Sequence, residues 1–524
     1  MLLLLTLGAI AALLLYRYAT AYWDYFDRRG IRCRKPTFLL GHLGPILFQR
    51  TTPCGNLMDH YRESVGEMTY GFFEFRKPVL MLRDLRLVKQ LFVKDFDSFL
   101  NHTVPIDEHM DSILGNGLIS LKGRKWKDMR STLSPMFTGS KIRHMLPLID
   151  KCALDLCDFV TMQQTDGKLI EWDLKDLLAK CLVGVIGSCA FGIDINCFED
   201  ADNEFNKAAT YLMSQSDFRK VAKILLFMVC PEICKKLGFQ VFDDKYKRLF
   251  RFLVAETINI RQKNNEVRPD LIQLLLQAKQ GEFKNETQAH EAKTQPIQWT
   301  DDELTAQAVI FFAAGFETTS TLLSFAMMEL ALQPTIQNRL IEEIDNLKEN
   351  NPTYEQIQNL QYLNAVVCES LRKWPPLPAT DRICVKNYTI INPDSQLSLH
   401  DIEVDRPVWI PIYCFHHDPQ YFPEPEVFNP NRFLDPNRNA INEAAFMPFG
   451  VGPRNCIGSR FGLLAAKLIL VRIMRAYRIE CCTKTDDKMS LSKSKMSMIL
   501  DKGHWVHLKL RNKNFVGFTC GVIR

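Results

Sequence analysis

The sequence predicts a mainly α-helical protein with a smaller β-containing part, arranged as one large domain behind a single N-terminal transmembrane helix. Three observations support this prediction. The chain begins with an almost wholly apolar run, apolar residues recur at helical spacing through much of the remainder, and two later segments mix β-branched residues with turn formers. The composition, with 47% hydrophobic and 24% charged residues, is that of a folded protein.

The N-terminal segment predicts a membrane anchor. Residues 1–16 carry no charged side chain, and a helix of that length rises about 24 Å, short of a hydrocarbon core of about 30 Å. Arg17 can extend its side chain to the headgroups, and mostly uncharged residues continue the span. Basic residues cluster only on the C-terminal side, which keeps the rest of the chain cytoplasmic. We therefore predict a signal-anchor with its basic flank at residues 1–29 and a folded body at residues 30–524.

A cleaved secretory signal is the alternative for the same segment. The small residues Ala19, Thr20 and Ala21 resemble a cleavage site. A secretory signal, however, carries positive charge before its apolar run, and this chain has no basic residue there. The retained anchor is therefore favoured.

The body contains predicted helices, strands and loops. Apolar residues recur at helical spacing in four segments: 146–160, 174–191, 249–261 and 462–476. The polar segment 280–299 lacks this spacing and predicts a surface loop. Strands are predicted within 388–412 and 496–510, and the many Pro, Asn and Asp residues of 415–439 predict irregular coil.

Residues 224–242 are conspicuously apolar around Pro231 and Gly238. This segment has two interpretations. It is either a pair of packed helix ends, or a surface segment that dips into the bilayer beside the anchor, with Lys235 and Lys236 at the headgroups. The sequence leaves both open.

Charge and cysteine content exclude several classes of protein. A net charge of +5 over 524 residues is too small to indicate a nucleic-acid partner. The 16 cysteines are too sparse and scattered for a disulfide scaffold, and no CxxC…CxxC pattern predicts structural zinc. Most of them should therefore be buried and reduced, and a chemically active cysteine must be identified by its neighbours.

One cysteine lies in a distinctive loop sequence. Residues 449–458 read FGVGPRNCIG and match the pattern F-x-x-G-x-R-x-C-x-G at every specified position. Cys456 comes just before a predicted helix, whose N-terminus supplies amide donors and positive potential to a thiolate. Gly452 and Gly458 lack a Cβ, so the backbone can turn tightly and approach a flat ligand. The segment resembles the haem-binding loop of the cytochrome P450 superfamily.

This resemblance implies a fold, a cofactor and roles for the loop residues. The fold would be that of the cytochromes P450, and the cofactor haem b, with Cys456 as the axial ligand of its iron. Arg454 would pair with a haem propionate, and Phe449 would pack beside the sulfur and exclude water. Gly450 and Gly458 would also contact the cofactor.

A charged pair and a later arginine match a structural triad of the same family. Glu369 and Arg372 have the spacing E-x-x-R, which places both on one helix face. The family joins such a pair to an arginine from an F-x-P-x-R-F segment, which this chain supplies as Arg432. A Glu commonly precedes that arginine, whereas this chain has Asn431. The implied role is to hold the core around the cysteine loop.

Three further residues would bind the haem propionates. Trp126 and Arg130 form a W-x-x-x-R pattern, whose ends share a helix face. The resemblance implies that both side chains contact the propionates, and it implies the same role for Arg382, which follows the break at Pro375 and Pro376.

A long apolar helix is predicted to carry the residues that activate oxygen in the family. Thr300 and Glu303 form a capping box, and the helix that they begin can run to about Gln333, before Pro334. Because it is apolar around most of its circumference, it should cross the interior of the protein. In its middle, residues 313–319 read AAGFETT.

That segment matches the family's oxygen-activation motif, A/G-G-x-D/E-T-T/S. The resemblance implies that Gly315 opens a groove beside the iron and that Ala314 lines the cofactor. Thr318 would donate a hydrogen bond to dioxygen, and Glu317 would relay protons through water. The structural alternative is a helix whose hydroxyl groups bond back to its own carbonyls. Relatives that rearrange peroxides tend to lack the acid–alcohol pair, so its presence favours a monooxygenase.

The resemblance also implies partners and a location. Electrons would come from an NADPH–cytochrome reductase, with a small b-type cytochrome as a further donor. Four basic residues could attract an acidic flavoprotein, or form only a solvated basic face: Lys122, Arg124, Lys125 and Lys127. With the anchor, this places the catalytic domain on the cytoplasmic side of the endoplasmic reticulum membrane.

The substrate class is predicted from the subfamily. Residues 126–141 and 313–321 look most like insect microsomal members related to the vertebrate drug-oxidising enzymes, which favours small lipophilic foreign compounds. By position, the substrate-contacting segments should be 104–114, 208–240, the helix near Phe311 and Phe312, 377–380 and 491–494.

Two other functions stay open. One is a dedicated hydroxylase of an endogenous hormone, steroid or lipid. The other belongs to a different class, a haem protein that binds or senses ligands without turnover. The intact pair of Glu317 and Thr318 argues against the second.

Overall fold

The computed structural model describes most of the chain. The described residues are 1–104, 106–164, 169–200, 203–213, 223, 226–227, 231–236, 240, 242–268, 270–279 and 299–511.

Among these residues, two helices are long and apolar enough to cross a membrane. The first, α1 (Leu2–Thr20), has only 6% of its apolar window buried, whereas the second, Asp301–Leu332, has 61% buried. A helix inside a protein buries its apolar side chains, so the second belongs to the core. The exposed α1 coincides with the predicted membrane anchor.

The helices of the body are α2 (Gly44–Leu47), α3 (Pro53–Glu63), α4 (Leu85–Lys89), α5 (Gly123–Leu133), α6 (Gly139–Gln163), α7 (Leu174–Ile186), α8 (Glu204–Met213), α9 (Pro231–Lys236), α10 (Asp244–Asn264), α11 (Leu271–Lys279), α12 (Asp301–Leu332), α13 (Pro334–Asp345), α14 (Tyr354–Asn359), α15 (Gln361–Lys373), α16 (Ile412–His416) and α17 (Ser459–Ala476). The four predicted helical segments fall within α6, α7 with the π-helical turn that follows it, α10 and α17, as predicted.

The described strands form three small sheets. They are β1 (Thr69–Glu74), β2 (Lys77–Leu82), β3 (Glu171–Asp173), β4 (Thr380–Ile383), β5 (Tyr388–Ile391), β6 (Ser398–Ile402), β7 (Pro407–Ile410), β8 (Tyr477–Cys481) and β9 (Trp505–Leu510). The largest sheet has the order β1-β2-β7-β4, in which only the β2–β7 pair is parallel. The others have the orders β3-β9-β8 and β5-β6.

The predicted strand regions are confirmed in one case and in part in the other. The region 388–412 contains β5, β6 and β7. In 496–510, only residues 505–510 form a strand, because a turn precedes them in which Gly503 adopts a φ of +82°. The region 415–439 consists mainly of turns and short 3₁₀ helices, as predicted. The loop predicted at 280–299, except Trp299 at its end, and most of 224–242 lie outside the described residues.

Helix α12 runs through the core, as predicted, and positions the site. The capping box is present: the Thr300 hydroxyl accepts the Glu303 backbone N–H at 3.2 Å, and the Glu303 carboxylate accepts the Thr300 backbone N–H at 2.8 Å. The helix ends at Leu332, before Pro334 begins α13. It packs against α7, α10, α15 and α17. The last of these follows the cysteine loop, so the motif of α12 and that loop belong to neighbouring elements.

Candidate functional site

The cysteine loop is held by backbone turns that require glycine. Gly450 and Gly452 both have a φ of +73°, in the left-handed region. A Cβ on Gly452 would lie 1.9 Å from the backbone oxygen of Phe92, so no other residue fits there without moving the backbone. The Cys456 backbone N–H donates to the Phe449 carbonyl at 2.9 Å and closes the loop. Phe449 is half-buried and packs against the main hydrophobic core.

The Cys456 side chain lines a cleft inside the protein. It is exposed, yet burial by the surrounding protein raises the pKa of its thiol. A backbone hydrogen bond at Gly458 and the charge of Arg130 act in the opposite direction and favour the thiolate. Gly458 is the N-cap of α17, so the sulfur lies at the positive end of a helix.

Gly458 differs from the other loop glycines. Its φ is −88°, which any residue adopts, and the nearest protein atom to a Cβ there would be 3.7 Å away, on Phe137. Neither backbone conformation nor a protein contact therefore requires glycine at this position. A flat ligand close to the backbone beside Cys456 would require it.

Arg130 and Arg454 tie the loop to α5 and to the segment before it. Arg130 donates to the backbone oxygen of Asn455 at 2.8 Å and to its side-chain oxygen at 3.0 Å. The buried Arg454 lies 4.7 Å from the ring centre of Trp126, which is also buried. Arg454 also donates to three backbone oxygens, those of Leu100, Ile119 and Leu121.

Arg382 adds a third cation to this cluster. It is fully buried on β4, donates to the Asp381 backbone oxygen at 2.6 Å and lies over the ring of Phe92. Burial lowers the pKa of Arg382 to about 10. Burial and then the charge of Arg382 lower the pKa of Arg454 to about 9. The Nε atoms of both arginines are buried without a hydrogen-bond partner among the described residues.

Sequence reasoning missed two residues of this cluster. His102 Nδ1 lies 3.0 Å from a carboxylate oxygen of Asp381 and 3.4 Å from Nη1 of Arg382. Burial would raise the pKa of Asp381, but hydrogen bonds from His102 and Thr103 outweigh it and hold the value at about 2. Asp381 precedes Arg382 in the sequence, but nothing in the sequence places the distant His102 beside it.

The motif of α12 presents an accessible face within a buried helix. Ala314 is exposed and Phe311 and Thr318 are half-buried, whereas most of the helix is buried. The Thr318 hydroxyl donates to the Ala314 carbonyl at 2.8 Å. Phe312, predicted with Phe311 as a substrate contact, is instead fully buried among aromatic rings that include Phe250.

Two contacts place this face beside the cysteine loop. Phe137, the neighbour of Gly458, stacks on Phe311 with ring centres 5.2 Å apart. A Cβ on Gly462 of α17 would lie 3.7 Å from the Thr319 hydroxyl. The cleft at Cys456 and the accessible face of α12 are therefore adjacent.

Gly315 has a packing reason that the sequence did not reveal. A Cβ there would lie 2.5 Å from Cδ1 of Ile186, so glycine allows α7 to approach α12 closely. The backbone is α-helical without a break from Asp301 to Leu332. The groove beside the iron stays a prediction.

Glu317 contacts a residue that the sequence analysis did not single out. Its Oε1 lies 3.3 Å from Nζ of Lys175 on α7, and its Oε2 is buried without a hydrogen-bond partner among the described residues. The carboxylate therefore forms an ion pair with a neighbouring helix through one of its two oxygens.

The predicted triad residues meet in the structure. Arg372 Nε donates to Glu369 Oε2 at 2.8 Å, and both side chains are fully buried. Arg432 Nε lies 3.4 Å from Glu369 Oε1. Asn431, the departure from the family pattern, accepts a hydrogen bond from Arg339 at 2.7 Å. The triad joins α15 to the 3₁₀ turn Pro430–Phe433.

The basic residues around α5 are largely paired within the chain. Lys125 lies 2.6 Å from Glu108 and 3.1 Å from Glu303, Lys127 lies 2.8 Å from Asp97, and Arg124 lies 3.5 Å from Asp128. These pairs reduce the positive charge that the four basic residues offer to a partner.

The residues at this cleft fit a haem. Haem carries two propionate carboxylates, and the cluster offers three guanidinium groups, two of which have an Nε without a hydrogen-bond partner in the described ranges. Haem also has a flat face, which the backbone at Gly458 would accommodate, and an iron, which the accessible sulfur of Cys456 can bind.

The chain is similar to known proteins over most of its length. The family model described as Cytochrome P450 matches residues 33–507. Cytochrome P450 9e2 of Blattella germanica is 39% identical, covering 96% of this chain and 97% of the relative. Probable cytochrome P450 9f2 of Drosophila melanogaster is 37% identical, covering 97% and 99%. Cytochrome P450 6k1 of Blattella germanica is 36% identical, covering 91% of each chain.

Proposed function

The chain belongs to the cytochrome P450 family, whose members use haem b, and on that premise we propose that it inserts one oxygen atom from O₂ into small lipophilic substrates. The observation that carries this proposal is the accessible Cys456 next to the accessible face of α12. That face presents an acid and an alcohol, Glu317 and Thr318, which are the side chains that oxygen insertion needs for protons.

Haem would be held by residues from four parts of the chain. Cys456 would bind its iron. The propionates would receive hydrogen bonds from the guanidinium groups of Arg130, Arg382 and Arg454 and from the indole N–H of Trp126. When bound, haem supplies the redox chemistry that activates O₂, and a thiolate ligand favours cleavage of the O–O bond. Gly450, Gly458, Phe449, Ala314 and Gly315 would border the macrocycle.

The side chains of α12 would manage protons. Thr318 now donates to its own helix at the Ala314 carbonyl, so it would have to turn its hydroxyl hydrogen towards the cleft. Glu317 would relay protons, because its buried Oε2 has no hydrogen-bond partner among the described residues and can accept one. The half-buried Phe311 offers an apolar surface to substrate.

Electron supply and location complete the proposal. Insertion of one oxygen atom consumes two electrons, which would come from NADPH through a reductase on the same membrane, with a small b-type cytochrome as a second donor. The apolar helix α1 supports attachment to a membrane. We place the catalytic domain on the cytoplasmic side of the endoplasmic reticulum.

Foreign lipophilic compounds are the proposed substrates, and a panel of them tests the proposal. The full chain would be co-expressed with an NADPH–cytochrome reductase in membranes, and NADPH consumption and products would be measured for each compound. We expect oxygenated products from several members of the panel. Turnover confined to one steroid or lipid would favour the dedicated hydroxylase, and binding spectra without any turnover would favour the sensor.

A further inference from the structure

Lys175 occupies a costly position on α7. It lies in the first turn of the helix, directly after the N-cap Asp173 and Leu174, where the helix dipole disfavours a cation. Its side chain is also buried, with only 7% of the residue exposed. A buried lysine at the positive end of a helix calls for a compensating partner.

The partner is a cluster of acceptors on α12. The Lys175 ammonium donates to the hydroxyl oxygens of Ser320 at 2.8 Å and Thr321 at 2.6 Å, and to the backbone oxygen of Glu317 at 3.1 Å. Both hydroxyls donate their own hydrogens to that backbone oxygen, at 3.0 and 2.9 Å. Their lone pairs are therefore left to the ammonium, which is held within 3.3 Å of the Glu317 carboxylate.

The other titratable groups near Lys175 leave Glu317 as its counter-ion. Burial and then the charge of Lys175 lower the pKa of His504 to about 3, so this imidazole is neutral at neutral pH. Asp173 uses a carboxylate oxygen to accept the Lys175 backbone N–H at 3.0 Å. Burial lowers the pKa of Lys175, while Glu317 and Asp173 act in the opposite direction.

We propose that Lys175 is a positioning residue for Glu317. Its ammonium fixes Oε1 against α7, which leaves Oε2, an oxygen without a hydrogen-bond partner among the described residues, as the atom that carries a proton. This inference rests on the proposed monooxygenase function, in which Glu317 supplies protons.

The position of the Glu317 carboxylate decides which of two reactions consumes the electrons. With well-placed protons, substrate RH, O₂, two electrons and two protons give ROH and water. With misplaced protons, O₂, two electrons and two protons give hydrogen peroxide, which leaves while RH stays unchanged. NADPH supplies the electrons through the reductase in both cases.

The test compares product with hydrogen peroxide in reductase-containing membranes. Lys175→Met removes the ammonium and keeps the length of the side chain, whereas Lys175→Arg keeps a cation. We expect Lys175→Met to lower the ratio of product to peroxide about tenfold, a fraction of what a proton-transfer group contributes, and Lys175→Arg to recover part of it. The matched control is Lys467→Met, another buried lysine, whose ammonium donates to Gln358 at 3.0 Å. It should leave the ratio unchanged.

A second measurement does not depend on turnover. Melting temperatures of the haem-loaded protein would be compared for Lys175→Met, Glu317→Gln and the double variant. Because the two side chains are in contact, we expect the double variant to lose clearly less than the sum of the single losses. If the Lys175→Met protein does not bind haem, the Thr321→Val protein replaces it in both measurements, because this substitution removes one acceptor of the Lys175 ammonium.

The outcomes separate this inference from the proposed function. An unchanged product ratio in Lys175→Met, or an equal fall in Lys467→Met, would overturn the positioning role. Additive melting shifts would overturn the contact itself. If the wild-type protein gives neither product nor peroxide with any lipophile, the proposed function fails, and the melting measurement still decides whether Lys175 holds Glu317.

Discussion

Three side chains around the cysteine loop carry atoms that no group in the described part of the chain satisfies. The Nε atoms of Arg382 and Arg454 are buried without hydrogen-bond partners there, and the Cys456 thiol is exposed inside a cleft. Buried polar groups normally find hydrogen-bond partners, and buried cations normally find anions. A ligand with two carboxylates and a metal would satisfy all three side chains, which is why these residues carry the site.

The two loop glycines give a prediction at the residue scale. Gly452→Ala should lower the free energy of unfolding by more than about 2 kcal/mol, because it combines a left-handed backbone with a backbone collision. Gly458→Ala should leave that free energy almost unchanged but lower the haem content, since only the ligand demands glycine there. Urea unfolding and the haem-to-protein absorbance ratio check both. Equal haem content in Gly458→Ala and wild type would contradict the placement of the haem.

Sequence alone could identify the residues that belong to a local pattern. Cys456, Arg454 and Glu317 lie in short motifs, whose spacing is visible in the chain. Lys175 and His102 could not be identified in this way, because each acquires its role from a contact with a residue more than 100 positions away. The sequence also does not distinguish the adjacent Phe311 and Phe312, and only the structure shows that Phe312 is buried while Phe311 is partly accessible.

At the scale of elements, the Glu369 triad joins a helix to a distant turn. Besides its contacts with Arg372 and Arg432, Glu369 accepts the Asn429 backbone N–H at 2.8 Å. Glu369→Gln leaves two guanidinium groups without their buried counter-ion. We expect it to lower the free energy of unfolding by about 3–5 kcal/mol, measured by urea unfolding.

A partly exposed ion pair provides the control for this prediction. Asp345 lies 2.5 Å from Arg511, with 48% of its side chain exposed. Asp345→Asn should cost less than about 1 kcal/mol, because solvent screens the pair. A cost for Glu369→Gln as small as that of Asp345→Asn would show that the triad does not support the core.

Element boundaries were predictable where the sequence marks both ends. The capping box at Thr300 and the proline at 334 bound α12 in the sequence and in the structure alike. The segment before β9 was not predictable, because Gly503 turns the chain where the β-branched pattern continues. The register of the three sheets, which join strands far apart in sequence, had no local signal.

At the scale of the whole molecule, buried neutral histidines predict how stability depends on pH. Burial lowers the pKa of His42 to about 4, and the values of His60, His416 and His417 to about 3. An unfolded histidine titrates at about pH 6.5. Between that pH and the lower native pKa values, the unfolded chain therefore binds more protons than the native protein. Stability should therefore fall as the pH falls through this window and be fully present above it.

His416→Gln tests this dependence. The His416 ring accepts the Met447 backbone N–H at Nε2, 3.0 Å away, so protonation would break that bond. Urea unfolding between pH 5 and 7.5 should show a slope smaller by up to about 1.4 kcal/mol per pH unit in the variant. The exposed His144 provides the control, and His144→Gln should keep the wild-type slope. An unchanged slope in His416→Gln would contradict the account.

The spectrum of the reduced, CO-bound protein tests the central claim, that Cys456 binds the iron of a haem. A thiolate-ligated haem gives a strongly red-shifted Soret band. We predict this band in the wild-type protein and in Cys481→Ala, which removes another exposed cysteine, and its loss in Cys456→Ala. A Cys456→Ala protein that keeps the red-shifted band would contradict the assignment.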